Sequence, residues 1–102
     1  MRKWIYSGGQ VVTDEENRKL RLEYYLEEET RDTKGQTCLY GICVELYREQ
    51  QDAFLVDREH APAISYSREF VSGLVGKLRR MSVTPTGLLE AVDDELSAQQ
   101  LL

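Results

Sequence analysis

No apolar run in this chain approaches the roughly 18 residues that a membrane-spanning helix needs, so no helical membrane span is expected. Arg2 and Lys3 are not followed by an apolar h-region, because Ser7, Gly8, Gly9 and Gln10 intervene, and a secretory signal is not expected either. Cysteine is scarce. Cys38 and Cys43 are the two present, five positions apart in a segment that reads as strand. An odd spacing puts them on opposite faces, so they are not expected to bridge each other, and free thiols suit a reducing compartment such as the cytoplasm.

Histidine is scarcer still. His60 is the single one, set beside Glu59 in what reads as a polar loop, with no nucleophile or second ligand close in sequence. A structural zinc site takes about four ligands, and one His with two divergent Cys does not supply them. Gly8-Gly9 lacks the further glycines, the lysine and the following helix of a phosphate loop. Ser65 and Ser67 lack a Gly-x-Ser-x-Gly setting and read as helix caps. With no nucleophile, base and orienting group together, the expectation is a protein that is not an enzyme and holds no cofactor or metal.

What is present describes one domain over residues 1–102, with a 41% hydrophobic fraction that is ordinary for a packed core. The 13 Lys and Arg are outweighed by 18 Asp and Glu, for a formal charge of −5. Nucleic-acid affinity rests on cations that neutralise phosphates, and anionic membranes attract the same cations, so the balance argues against both partners.

The periodicity is that of an α+β domain: a mostly antiparallel sheet of about 4–5 strands over residues 3–58, then a C-terminal helical hairpin packed on one face. Lys3–Tyr6 and Gln10–Thr13 are strand segments, either paired across Ser7-Gly8-Gly9 or joined as one kinked strand. From Leu20 the alternation is clear. Leu20, Leu22, Tyr24 and Leu26 share one face, and Arg21, Glu23, Tyr25 and Glu27 the other. After an Asp32–Gly35 turn, Cys38, Tyr40, Ile42, Val44 and Leu46 share a face, with Leu39, Gly41, Cys43, Glu45 and Tyr47 opposite. A loop of Thr33 to Gly35 sets Asp32 opposite Gln36, Leu26 opposite Ile42, Tyr24 opposite Val44 and Leu22 opposite Leu46. Paired numbers then sum to an even value, and a slip by one would set the apolar face against the charged one. Ala53–Asp57 is a further strand, and Arg58–Ala63 a loop around Pro62.

Helices are expected over residues 66–81 and 85–98. The first carries an apolar stripe of Phe70, Val71, Leu74, Val75, Leu78 and Met81, with Lys77, Arg79 and Arg80 in its last turn, where cations complement the helix dipole. Thr84 and Pro85 start the second, whose stripe is Leu88, Leu89, Val92 and Leu96. Glu27-Glu28-Glu29 and Asp93-Asp94-Glu95 read as solvated carboxylate runs.

Two features point to a partner rather than a substrate. The second face of the main hairpin offers Tyr25, Leu39, Cys43 and Tyr47 where a solvated face carries more charge, and tyrosine is favoured at interfaces. The competing account is that the N-terminal segment, with Trp4, Ile5, Val11 and Val12, covers this face. Gly73 and Gly76 also lie off the apolar stripe of their helix, as a closely approaching backbone would require. The expectation is therefore a small protein-interaction or regulatory module that docks a protein partner, or a second copy of itself, through Tyr25, Leu39, Cys43 and Tyr47. One alternative is a small-ligand pocket between sheet and helices lined by Tyr40 and Tyr66. Another is nucleic-acid binding through Lys77, Arg79 and Arg80.

Tyr40-Gly41-Ile42 in the long strand and Val83-x-Pro85-x-x-Leu88-x-x-x-Val92-x-Asp94-x-Leu96 at the end carry a resemblance. Over Leu20 to Leu96 the chain resembles an uncharacterised clostridial family, domain of unknown function 6514; Trp4 and the Gln99–Leu102 tail lie outside it. The resemblance implies a bacterial cytosolic protein of one domain and carries over no catalytic residue. The stripe makes one test of its own. Leu74→Ala is expected to cost about 2–5 kcal/mol in urea unfolding, and an unchanged midpoint would remove Leu74 from the core.

Overall fold

The computed structural model describes residues 2–32, 34, 37–49 and 53–100. Four strands, β1 (Arg2–Thr13), β2 (Lys19–Thr30), β3 (Cys38–Arg48) and β4 (Phe54–Ser65), precede α1 (Arg68–Arg80), a 3-10 turn (Pro85–Gly87) and α2 (Leu88–Gln100). The strands form one antiparallel meander in the order β1-β2-β3-β4. α1 lies against all four strands and α2 against β4. The smallest dimension of the molecule, 17 Å, holds one sheet layer and one helical layer, which leaves the other side of the sheet open.

The β2–β3 register is the one the alternation dictates: Leu22 opposite Leu46, Tyr24 opposite Val44, Leu26 opposite Ile42. The turn that joins them, with Thr33, Gly35 and Gln36, lies outside the described residues. On the helical side Leu22, Tyr24 and Leu26 of β2 and Ile42 and Val44 of β3 are buried against Val71, Leu74, Val75 and Leu78 of α1, and Leu88 and Val92 of α2 complete the same core. The Tyr24 hydroxyl donates to the Val83 carbonyl at 2.8 Å, which ties β2 to the segment between the helices.

β1 is one kinked strand rather than a hairpin. Its register slips between Tyr6 and Gly8, where Gly8 adopts φ +121°, a conformation side chains rarely take. The slip has a packing reason. Ile5 and Val12 are an odd seven residues apart, so a regular strand would send them to opposite faces. With the bulge both pack on the core. The N-terminal segment is thus an edge strand of the sheet, and only its Trp4 and Tyr6 side chains reach over the Tyr25 face.

β4 is longer than its sequence suggests. The expected loop Arg58–Ala63 belongs to the strand, which runs on to Ser65. Pro62 is tolerated there because β4 is an edge strand with a register shift between its Ala61 and Ser65 pairings, and Ala63 takes φ +53° at the shift. The displaced backbone passes directly over Gly41, where a Cβ would lie 2.5 Å from the Ala61 carbonyl oxygen.

The helical half differs in four details. Ser67 caps α1 by accepting from the Phe70 amide, but Thr84 makes no side-chain cap and Pro85–Gly87 forms a 3-10 turn, so α2 begins at Leu88. Leu89 is exposed, because the buried stripe follows Leu88, Val92 and Leu96 and Leu89 sits about 100° away from it. Met81, just past α1, is exposed as well. No backbone of the described residues approaches Gly73 or Gly76: a Cβ at Gly73 would meet nothing within 4 Å, and one at Gly76 only the Arg80 guanidinium at 3.5 Å.

The glycines give opposite expectations. Gly73→Ala should stabilise the domain by about 0.5–1 kcal/mol, because it improves an open helical site. Gly41→Ala should destabilise it by about 1–3 kcal/mol through overpacking against β4. Chemical denaturation of both variants checks the pair, and a stabilising Gly41→Ala would contradict the β3–β4 approach.

Candidate functional site

The open side of the sheet is built from alternate residues of all four strands, so pairing arranges them in rows across it. One row reads Tyr6, Tyr25, Cys43, His60. To one side lies Trp4, Glu27, Gly41; to the other, Gly9, Glu23, Glu45, Arg58. Aromatic side chains therefore alternate with carboxylates, and the two central carboxylates, Glu27 and Glu45, are buried.

A buried carboxylate is costly unless it is paired, and each of these is. Glu27 accepts from the Trp4 indole N–H at 3.1 Å, lies 3.0 Å from His60 Nδ1, and pairs with Arg2 Nε at 3.3 Å. Glu45 accepts from Arg58 Nε at 2.9 Å, with Arg58 Nη2 on the same oxygen, and from the Tyr47 hydroxyl at 3.1 Å. Burial alone would raise the Glu45 pKa. The hydrogen bonds from Arg58, Tyr25 and Tyr47 outweigh it and hold the carboxyl below its ordinary range. The same contact with Glu45 raises Arg58. Tyr25 is pushed up by burial and then by Glu45, and stays a neutral donor.

Trp4 joins the rows. Its ring lies 5.1 Å from His60, 5.9 Å from Tyr25 and 5.3 Å from the Arg58 guanidinium, while Tyr6 meets Tyr25 edge-on at 5.6 Å. Trp4 remains 38% exposed, so the centre of the cluster faces solvent.

Tyr25, Leu39, Cys43 and Tyr47 all lie on this open side. Tyr25, Leu39 and Tyr47 are half-buried. Cys43 is buried, although no helix covers it, because the Trp4 indole bridges its two flanking neighbours, Tyr25 and His60. Burial, then the Glu45 charge, pushes its thiol up to about 12, which leaves no thiolate for chemistry at neutral pH. His60 is no loop residue but a member of β4 opposite Cys43. Glu27 is not solvated, although Glu28 and Glu29 beside it are partly so. Trp4, Tyr6, Arg58 and the two buried acids are the members that sequence reasoning missed. The alternation of Trp4 and Tyr6 against Ile5 carried a signal for the first two.

The remaining candidates disperse. Tyr66 is exposed and Tyr40 half-buried, and neither lines the two open grooves beside the helices, of about 380 and 520 Å³, which share Phe70 and Gln99. Lys77 pairs with Glu95 at 2.7 Å, whereas Arg79 extends beneath Gly8. Among the described residues no helix is long and apolar enough to cross a membrane, and no group of three His, Cys, Asp or Glu is placed to hold a metal ion.

Because the folded Glu45 is the stronger acid, its contribution to stability is complete above the unfolded carboxyl pKa of about 4.3 and is lost as pH falls through the lower folded value. Glu45→Gln is expected to be less stable at neutral pH by about 1–3 kcal/mol and to lose less stability than wild type on acidification. Urea midpoints between neutral pH and mild acid test this, and parallel curves would show that Glu45 is not the group responsible.

A family described as being of unknown function, DUF6514, matches residues 3–98, which extends the resemblance seen from Leu20 onward to include Trp4. No curated protein and no solved structure matches the chain.

Proposed function

The chain belongs to that family of unknown function, and we propose that it is a non-enzymatic interaction module that docks a protein through the open side of its sheet, centred on Trp4. The observation that carries this is the exposed Trp4 ring packed among Tyr25, His60 and Arg58 over two paired buried carboxylates. Trp, Tyr and Arg dominate the energetic centres of protein interfaces. Here the acids beneath fix their rotamers before any partner arrives, which lowers the ordering cost of association. The partner is another protein or a second copy of the chain. A bacterial cytoplasmic setting, and a clostridial origin, follow from the family resemblance and belong to the same proposal. Two free thiols are consistent with that compartment.

The test compares wild type with Trp4→Ala in affinity capture from nuclease-treated host lysate, with circular dichroism to show that both are folded. A stoichiometric protein retained by wild type and lost by Trp4→Ala is expected. Identical captures by both proteins would overturn the reading. The chain has one tryptophan, so its emission should also shift when the partner binds.

A further inference from the structure

The open face does not show its two kinds of charge equally to solvent. Arg2, Arg21 and Arg58 leave 35–52% of their side chains exposed, whereas the strand carboxylates Glu23, Glu27, Glu29 and Glu45 leave 1–23%. The acids lie beneath and the guanidinium groups lie on top. Glu49, just past β3, is the exception, as exposed as the Arg21 it pairs with at the rim. We propose that the occupant of this face is an extended protein segment bearing carboxylates, whose acidic side chains are received by Arg58, Arg2 and Arg21 around the Trp4 anchor. The proposal rests on the docking reading above and adds the chemistry of the partner.

The donors needed are in place. A guanidinium carries a fork of N–H groups, and Arg58 gives its Nε and Nη2 to a single oxygen of Glu45, which leaves the rest of the fork to a second acceptor. Arg2 reaches its carboxylates only at 3.3 and 3.7 Å. Two of the forks also sit over aromatic rings: Arg58 over Trp4 and Arg21 over Tyr47, at 5.3 and 4.9 Å. Because Arg58 is that close to Trp4, the acid it receives sits within one or two residues of the apolar side chain seated on the indole.

The same arrangement disfavours a nucleic acid. Polyanion affinity comes from many cations releasing counterions. Here each arginine is already partly neutralised by a glutamate, and the chain as a whole carries −5. A peptide carboxylate needs one fork and no net field. A second copy would offer the exposed Glu90, Asp93 and Asp94 of α2, but that contact joins unlike surfaces and would propagate instead of closing.

Selection of a random peptide display library on the immobilised full chain tests the proposal, with a synthetic winner then titrated by Trp4 fluorescence. Winners should be enriched in Asp and Glu next to an apolar residue. Their affinity should fall about tenfold in Arg58→Gln and weaken in high salt. Arg58→Gln leaves Glu45 without its fork, so Arg2→Gln, at the rim, serves as the second variant and should weaken binding without altering the fold. Winners without acidic residues overturn the chemistry and leave the docking face standing. No enriched peptide at all overturns both. Tighter binding of an oligothymidine than of any peptide assigns the face to nucleic acid. Concentration-dependent self-association abolished by Arg58→Gln assigns it to a second copy. Either outcome overturns the proposal.

Discussion

The pairing of β2 with β3 in an even register governs the other features of this fold. Side chains alternate faces along a strand, so setting Tyr24 opposite Val44 also sets Tyr25 opposite Cys43 and Glu27 opposite Gly41. A single choice of parity sends Leu22, Leu26 and Ile42 to the helices and assembles the aromatic and acidic rows on the other side. Slipping by one residue would place either Glu23 and Glu27 of β2 or Glu45 of β3 under α1 with no partners, at a cost a domain of this size does not survive. The two edge strands then adapt to that frame by bulging. β1 shifts at Gly8 so that Ile5 and Val12 both reach the core, and β4 shifts near Pro62 over a glycine.

The open face solves a problem common to two-layer α+β folds, in which one side of the sheet has no helix to pack against. A wholly apolar face would aggregate, and a wholly charged one would not order the central strands. Here neighbouring rows share their polar groups. Glu27 collects the Trp4 and His60 donors, Glu45 collects Arg58, Tyr25 and Tyr47, and the rings pack at a tilt in the spaces between. The carboxylates act as internal anchors rather than as surface charge. That is why an acidic protein presents arginine and aromatic side chains at this site.

Rigidity has a consequence for function. The bonds to Glu27 and Glu45 hold Trp4, His60 and Arg58 in place, which is the property the docking proposal draws on. Burial and the Glu45 charge keep the Cys43 thiol protonated, so it is not a nucleophile at neutral pH.

The fold class, the β2–β3 register, the α1 stripe and the Ser67 cap follow from local periodicity and capping chemistry, which a strand or helix expresses whatever surrounds it. Tyr25, Leu39, Cys43 and Tyr47 could be set on one face by the same counting. The length of β4 could not, because Pro62 is a break signal anywhere except on a sheet edge, and only the tertiary arrangement decides which strand is the edge. Nor could the membership of the site. Trp4, Glu27, Glu45, Arg58 and His60 come from four different strands, and the Gly8 bulge sets which face the later part of β1 presents. Which carboxylates are buried depends on which donors converge on them across the sheet, a non-local condition that local sequence spacing does not record.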